Sequence, residues 1–212
     1  MIAVLALLCH SALAQVRDDE PQVWTSLDST MKLSPDWRAG VELGFRTAAD
    51  DKDELLGDLA VQSRHLDRLH AKLSYRLGLD EWQEVRVKHR FALDATLRMQ
   101  TEGVKFRLRH RQTLRLPGAD VSMKHVLRWR AKFSFPTDSV VEPYLSGEPF
   151  LLATPGSPVA LSKMRLTAGT SFAISDQDFD VYYRYEHPIR DDKDPRLHIL
   201  GIGFAFGVRL YK

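Results

Sequence analysis

Apolar and polar residues alternate with a period of two through most of this chain, which predicts strands in place of helices. Successive strand side chains point to opposite faces, so each such run carries one apolar and one polar face. In WRAGVELGFRT, Trp37, Ala39, Val41, Leu43 and Phe45 share a side, opposite Arg38, Gly40, Glu42, Gly44 and Arg46. Residues 82–101 set Val85, Val87, Phe91, Leu93, Ala95, Leu97 and Met99 against Glu84, Arg86, Lys88, Arg90, Asp94 and Arg98. The sharpest case is VKFRLRHRQTLRL at 104–116. A helix would scatter its cations; a strand gathers Lys105, Arg107, Arg109, Arg111 and Arg115 on one face, with Val104, Phe106, Leu108, Leu114 and Leu116 on the other. Residues 121–135 repeat the arrangement, with Lys124, Arg128, Arg130 and Lys132 opposite Met123, Leu127, Trp129, Ala131, Phe133 and Phe135.

Further segments follow at 161–174, 178–187 and 197–210, and weaker ones at 24–33, 60–77 and VVEPYLSGEPF. The stretch AADDKDELLGD reads as a long acidic loop, and Ser34-Pro35-Asp36 as a tight turn. The total is about ten strands (8–12), with no segment of helical period, linker or second domain. This is an all-β chain, expected to form a single antiparallel up-and-down barrel.

Which way the apolar face points separates a soluble barrel from a transmembrane one. Three features favour the membrane. Strands of ~9 to 11 residues cross the hydrocarbon when tilted, and these segments reach that length. Aromatic residues stand near strand ends, such as Trp37, Phe45, Phe133, Phe135, Phe172 and Tyr211. The last segment places Leu200, Ile202, Phe204, Phe206, Val208 and Leu210 opposite Gly201, Gly203, Ala205 and Gly207. Bulk on that side suits lipid, and the small residues would leave space in a lumen. Against this, His89, His110, Gln112 and His125 fall on the lipid side unless a bulge shifts the register.

Charge refines the picture. Thirty Lys and Arg against 28 Asp and Glu leave a formal net charge of +2, so the cations are a local device and argue for no acidic partner of the whole surface. On the membrane reading the lumen wall holds Lys105, Arg107, Arg109, Arg111, Arg115, Arg128 and Arg130, a candidate ion path. Glu42, Glu142, Glu148, Asp180 and Glu186 supply the facing carboxylates.

The first 15 residues, MIAVLALLCHSALAQ, form a short apolar run ending Ala12-Leu13-Ala14, which predicts a cleaved signal peptide over 1–14 and a barrel domain over 15–212. The run lacks the usual preceding cation. Cleavage would remove Cys9, the only cysteine, and with it any disulfide, thiolate nucleophile or Cys-based metal site.

The order of EWQEVRVKHRF, FRLRHRQTLR, RWRAKFSFP, VEPYLSGEPF, LSKMRLTAGTSF and HILGIGFAFGV resembles the bacterial DUF2490 family of outer-membrane β-barrels, over residues 24 to 210. EPYLSGEPF and MRLTAGTSF are its most specific pieces. The resemblance implies a barrel in the outer membrane, with lipid and the barrel-insertion machinery as partners and no catalytic residues to carry over. The chain ends Leu210-Tyr211-Lys212, so Tyr211 would serve as the aromatic signal that such machinery reads.

Other chemistry is weaker. Ser63 with His65, and His187 near Asp191 and Asp192, lack the motif of a lipid hydrolase or acyltransferase. His65 and His70 with Asp50, Asp51, Asp53 and Glu54 make a poor metal set, and that loop reads as solvated charge. Glu142 and Glu148 lie ~20 Å apart along a strand, too far for paired acid-base work. Nucleic acid is excluded as a partner by the expected location, and no cofactor or catalytic role is expected. The reading is an outer-membrane barrel acting as a narrow pore for small ions or solutes, or as a structural envelope component. A soluble periplasmic barrel around an apolar ligand, or an outer-membrane lipid-modifying enzyme, are the alternatives.

Overall fold

Hairpin follows hairpin along the chain until the sheet meets its own beginning. The computed structural model describes residues 19–48, 53–64, 68–80, 86–101, 104–116, 124–135, 137, 140–153, 158–174, 177–189 and 195–209. Their elements are all strands: β1 (Asp19–Lys32), β2 (Trp37–Ala48), β3 (Glu54–Ser63), β4 (Leu69–Asp80), β5 (Arg86–Thr101), β6 (Val104–Leu116), β7 (Lys124–Ser134), β8 (Val141–Ala153), β9 (Ala160–Ile174), β10 (Gln177–Pro188) and β11 (Arg196–Arg209). Each pairs with its sequence neighbours, and β1 pairs with β11 to close the barrel. The proposed signal peptide and Tyr211 lie outside the described residues.

Two points correct the sequence reading. The strands number eleven, because residues 60–77 are not one segment. Chain around Arg64 and Arg68 separates β3 from β4, and the end of the supposed acidic loop, Glu54–Asp58, belongs to β3. Leu56 points inward and is buried while Gly57 takes the outer side, which erases the polar-apolar contrast there. The turn carries neither glycine nor proline to announce it.

The second correction concerns direction. Successive hairpin strands alternate, so in an odd set the first and last run the same way. The closing pair is therefore parallel, in continuous register from Asp19↔Arg196 to Lys32↔Arg209, while the other ten pairings are antiparallel. A parallel pair ordinarily needs a crossover connection. Here the rest of the barrel is that connection.

The connections at one end are short. They include the β1–β2 turn, where Leu33 N donates to Trp37 O at 3.0 Å and Trp37 N to Ser34 Oγ at 3.1 Å. The β3–β4, β5–β6, β7–β8 and β9–β10 joints share this short-turn end, where connections run from two to six residues against five to seven at the other.

The faces are inverted relative to a soluble protein. Leu73 is 60% exposed, Leu59 58%, and Leu43, Leu93, Leu145 and Leu166 are all above half, on the outer side. Asp58, His70, Asp94, Arg128, Glu148 and Glu186 are buried inside. No bulge rescues His110 and Gln112 of β6. Its pairing is continuous with both neighbours, so His110 and Gln112 stay on the outer face, His110 against Trp129 at 6.1 Å. His89 and His125 lie toward the long-loop end, and the Tyr75 hydroxyl sits 2.7 Å from His89 Nδ1.

Gly201 of β11 does not leave empty lumen, whereas Gly207 near the short-turn end has nothing within 4 Å of where a Cβ would stand. The Tyr182 ring lies directly over Gly201, where any Cβ would collide with it. Tyr144 does the same to Gly169, its ring 2.7 Å from where a Cβ would stand. These aromatics need a flat neighbour because they turn inward in a closed wall. Gly201→Ala should therefore destabilise the barrel by about 1–3 kcal/mol through overpacking, whereas Gly57→Ala, which meets nothing within 4 Å, should be near neutral. Urea titration of the folded barrel checks both.

Candidate functional site: the cationic interior

Cross-strand register sets the electrostatic problem. Arg107 pairs with Lys132, Arg109 with Arg130 and Arg111 with Arg128 across β6 and β7, while Arg98 pairs with Arg107 across β5 and β6. Like charges directly opposite one another repel. Carboxylates must come from elsewhere, and three buried ones supply most of the neutralisation.

Glu148 on β8 is 3% exposed and accepts from three arginines: Arg109 at 2.9 Å, Arg128 at 3.0 Å and Arg165 at 3.2 Å. Asp94 on β5 takes both prongs of Arg111, each at 2.5 Å. Glu186 on β10 holds Lys163 at 2.6 Å and Arg165 at 2.5 Å. Smaller pairs surround these: Arg76 with Asp58, Arg46 with Glu54 at 2.7 Å, and Lys105 with Glu142. Backbone irregularity helps to set Glu148. Pro149 has no N–H for the ladder, and β7–β8 pairing is interrupted between Arg128↔Phe150 and Ala131↔Gly147.

Aromatic rings take up further cationic surface. Arg46 lies 4.0 Å over Trp24, Arg128 4.4 Å over Phe150, Arg184 4.5 Å over Tyr182, and Lys132 3.5 Å over Tyr144. Asp180 accepts from the Tyr144 and Ser171 hydroxyls, each at 2.8 Å.

Between these layers is a cavity of about 490 Å³. Arg46, Lys72, Arg76, Arg90, Arg109, Arg111, Arg128, Arg130, Lys163, Arg165 and Arg184 border it, against Glu42, Glu54, Asp58 and Glu186. The excess is positive even when Asp94 and Glu148 behind the wall are counted. Arg130 and Arg184 contribute most freely, since their side-chain hydrogen bonds are to hydroxyls, Ser146 at 3.3 Å and Thr167 at 3.2 Å.

The residues singled out from the sequence distribute as follows. Arg109, Arg111, Arg128, Arg130 and Glu186 border the cavity, and Glu148 sits behind it. Lys105, Arg107 and Glu142 lie nearer the short-turn mouth. Arg115 occupies β6, but its side chain is outside the described residues.

Sequence reasoning set Arg46 on a polar face without assigning it to the lumen wall, and missed Arg76, Lys163, Arg165 and Arg184, although each follows the same alternation on its own strand. Density drew attention to β6, and isolated cations did not. The inward Trp24, Phe150 and Tyr182 carried no local signal. Among the described residues no group of three or more His, Cys, Asp and Glu is placed to hold a metal ion. His70 instead sits 3.1 Å from Gln62, and His65, Asp50, Asp51, Asp191 and Asp192 lie outside the described residues.

A family model matches residues 21–195, most of the chain and the barrel up to the start of β11. The chain belongs to the DUF2490 family. That family is described as a protein of unknown function, so membership carries no activity. No curated protein matches the DUF2490 chain in sequence. Among solved structures it resembles a bacterial polysaccharide outer membrane secretin, with a TM-score of 0.52 and 13% identity. The match covers 80% of this chain and 63% of that one, so the DUF2490 barrel spans less than two thirds of the secretin's length. At that identity the likeness is one of fold.

The three-arginine grip on Glu148 makes an unequal pair of mutations. Glu148→Gln strands the Arg109 and Arg128 guanidinium groups, leaves Arg165 to Glu186 alone, and should cost about 3–5 kcal/mol. Arg109→Gln leaves Glu148 with Arg128 and Arg165 and should cost markedly less. Thermal unfolding in a fixed detergent compares them; equal losses would show that Glu148 is not the hub.

Proposed function

We propose that this DUF2490 protein is an outer-membrane β-barrel whose cationic interior gives small anions a narrow path. The observation that carries the reading is the inversion of faces in a closed sheet. A closed barrel leaves no backbone edge for lipid to desolvate, and its outer side is apolar. Strands of 10 to 16 residues suffice to cross the hydrocarbon, which needs ~9 to 11.

Outer aromatics support the same reading. Trp37, Phe106, Phe133, Phe172, Phe179 and Phe204 stand outward toward the short-turn end. Several touch across strands: Phe106–Phe133 at 5.0 Å, Phe172–Phe179 at 5.7 Å and Phe179–Phe204 at 4.8 Å. Tyr185 and His198, 5.2 Å apart, mark the opposite side. Two amphipathic belts are what the interfaces of a bilayer favour. Export by a cleaved 1–14 leader and insertion through the C-terminal strand complete the proposal, and no catalytic residue is assigned.

The polar interior does not suit a soluble barrel around an apolar ligand. A second reading does have an observation behind it. Asp94, Glu148 and Glu186 on β5, β8 and β10 bind arginines of β6, β7 and β9, and such a network in a narrow barrel would serve equally as a structural plug.

Two measurements divide these readings. The purified barrel should require detergent, migrate faster unheated than boiled on a denaturing gel, and lose insertion yield with Leu93→Arg, which at mid-bilayer costs ~2–4 kcal/mol. A protein that folds as a monomer without amphiphile would end the membrane reading. In planar bilayers the wild type should pass chloride over potassium, and Arg130→Glu should shift the reversal potential toward cation preference. Absence of conductance would leave the plug.

A further inference from the structure

The short-turn mouth differs from the rest of the interior. Deeper in, Arg46, Arg76, Arg109, Arg111, Arg128, Arg130, Arg165 and Arg184 meet carboxylates, rings or hydroxyls. At this mouth Arg38 on β2, Arg64 just after β3, Arg98 on β5 and Arg107 on β6 have no ion pair or side-chain hydrogen bond among the described residues, although all four are half-buried. Buried Nε atoms of Arg38, Arg64 and Arg98 have no partner. The backbone delivers the four together. Arg64 N donates to Asp36 O at 2.8 Å, tying the β3–β4 turn to the start of β2, and Arg98 N donates to Arg68 O at 2.8 Å. Arg98 and Arg107 are register partners.

The four are close enough to repel one another. Arg98 feels Arg107, Arg64 and Arg38, and the Arg64 guanidinium is pushed below its ordinary value by burial first and then by Arg38 and Arg107. The carboxylate that acts on Arg107, Glu142, is already held by Lys105. Half-buried guanidinium groups that repel one another are costly without a counter-charge.

We infer that this mouth is a phosphate-binding site, in which Arg38, Arg64, Arg98 and Arg107 close on one phosphate group. Guanidinium forks match phosphate oxygens two at a time, and a group of about two negative charges offsets several cations where chloride offsets one. The four side chains come from β2, the β3–β4 turn, β5 and β6, so they surround one side of the opening and do not form a flat row. The phosphate is either a free anion or the head of a lipid at the rim. The site does not rest on transport: it stands whether or not the barrel conducts.

The test uses the full folded barrel in a phosphate-free detergent, with inorganic phosphate and pyrophosphate as probes and chloride at matched ionic strength as control. Calorimetric titration should show saturable binding, and either probe should raise the melting temperature where chloride does not. Arg64→Gln/Arg98→Gln should bind roughly tenfold or more weakly, and should melt higher than wild type without phosphate, because repulsion has been removed. That second readout shows that the variant is folded. A parallel arm dopes the micelles with short-chain phosphatidic acid against phosphatidylcholine. Response to the soluble probes assigns a free anion, and response to phosphatidic acid alone assigns a lipid phosphate. No response in either arm, or chloride acting as well as phosphate, overturns the site. So does a double variant that binds like wild type.

Discussion

Burying many guanidinium groups inside a closed wall is the constraint on which the rest of this molecule depends. Isolated charges of that kind cost several kcal/mol each, and the register makes matters worse by setting cations of β6 against cations of β5 and β7. The barrel answers with carboxylates shared among several cations. Glu148 serves Arg109, Arg128 and Arg165, and Arg165 in turn reaches Glu186. Sharing ties β6, β7, β8, β9 and β10 into one electrostatic unit, so the interior wall is held by side chains as well as by the ladder.

Because acids are fewer than bases inside, sharing is incomplete. Aromatic rings take some of the remainder: Trp24, Tyr144, Phe150 and Tyr182 all lie under cations. The two tyrosine rings have room because glycines stand beside them, Gly201 under Tyr182 and Gly169 beside Tyr144. What remains uncompensated collects in two places, the central cavity near Arg130 and Arg184 and the short-turn mouth. Both are regions where a mobile anion would complete what the protein leaves unbalanced, and this is why the functional reading centres on anions.

Much of this was legible along the chain because it is local. Period-two alternation needs only a strand's own residues, so the faces of β2, β5, β6, β7 and β11 and the inward row on β6 follow from the sequence directly. The count of strands was less legible. In β3, Leu56 faces in and Gly57 faces out, and the contrast that marks a strand vanished. The isolated inward cations Arg46, Arg165 and Arg184 obeyed the same alternation but lacked a run to advertise them.

The sequence by itself therefore determined the class of structure, the polarity of its two faces and the concentration of cations on one of them. Each of these is set by residues two apart. Tertiary structure decided how the sheet closes: eleven strands force a parallel seam between β1 and β11. It also decided which acid meets which base. Arg109 and Glu148 lie 39 positions apart, and Lys163 and Glu186 23, so their meeting depends on register summed over several hairpins. The gathering of Arg38, Arg64, Arg98 and Arg107 at one mouth is likewise a product of the way the barrel turns, since only Arg98 and Arg107, partners across one hairpin, are related locally.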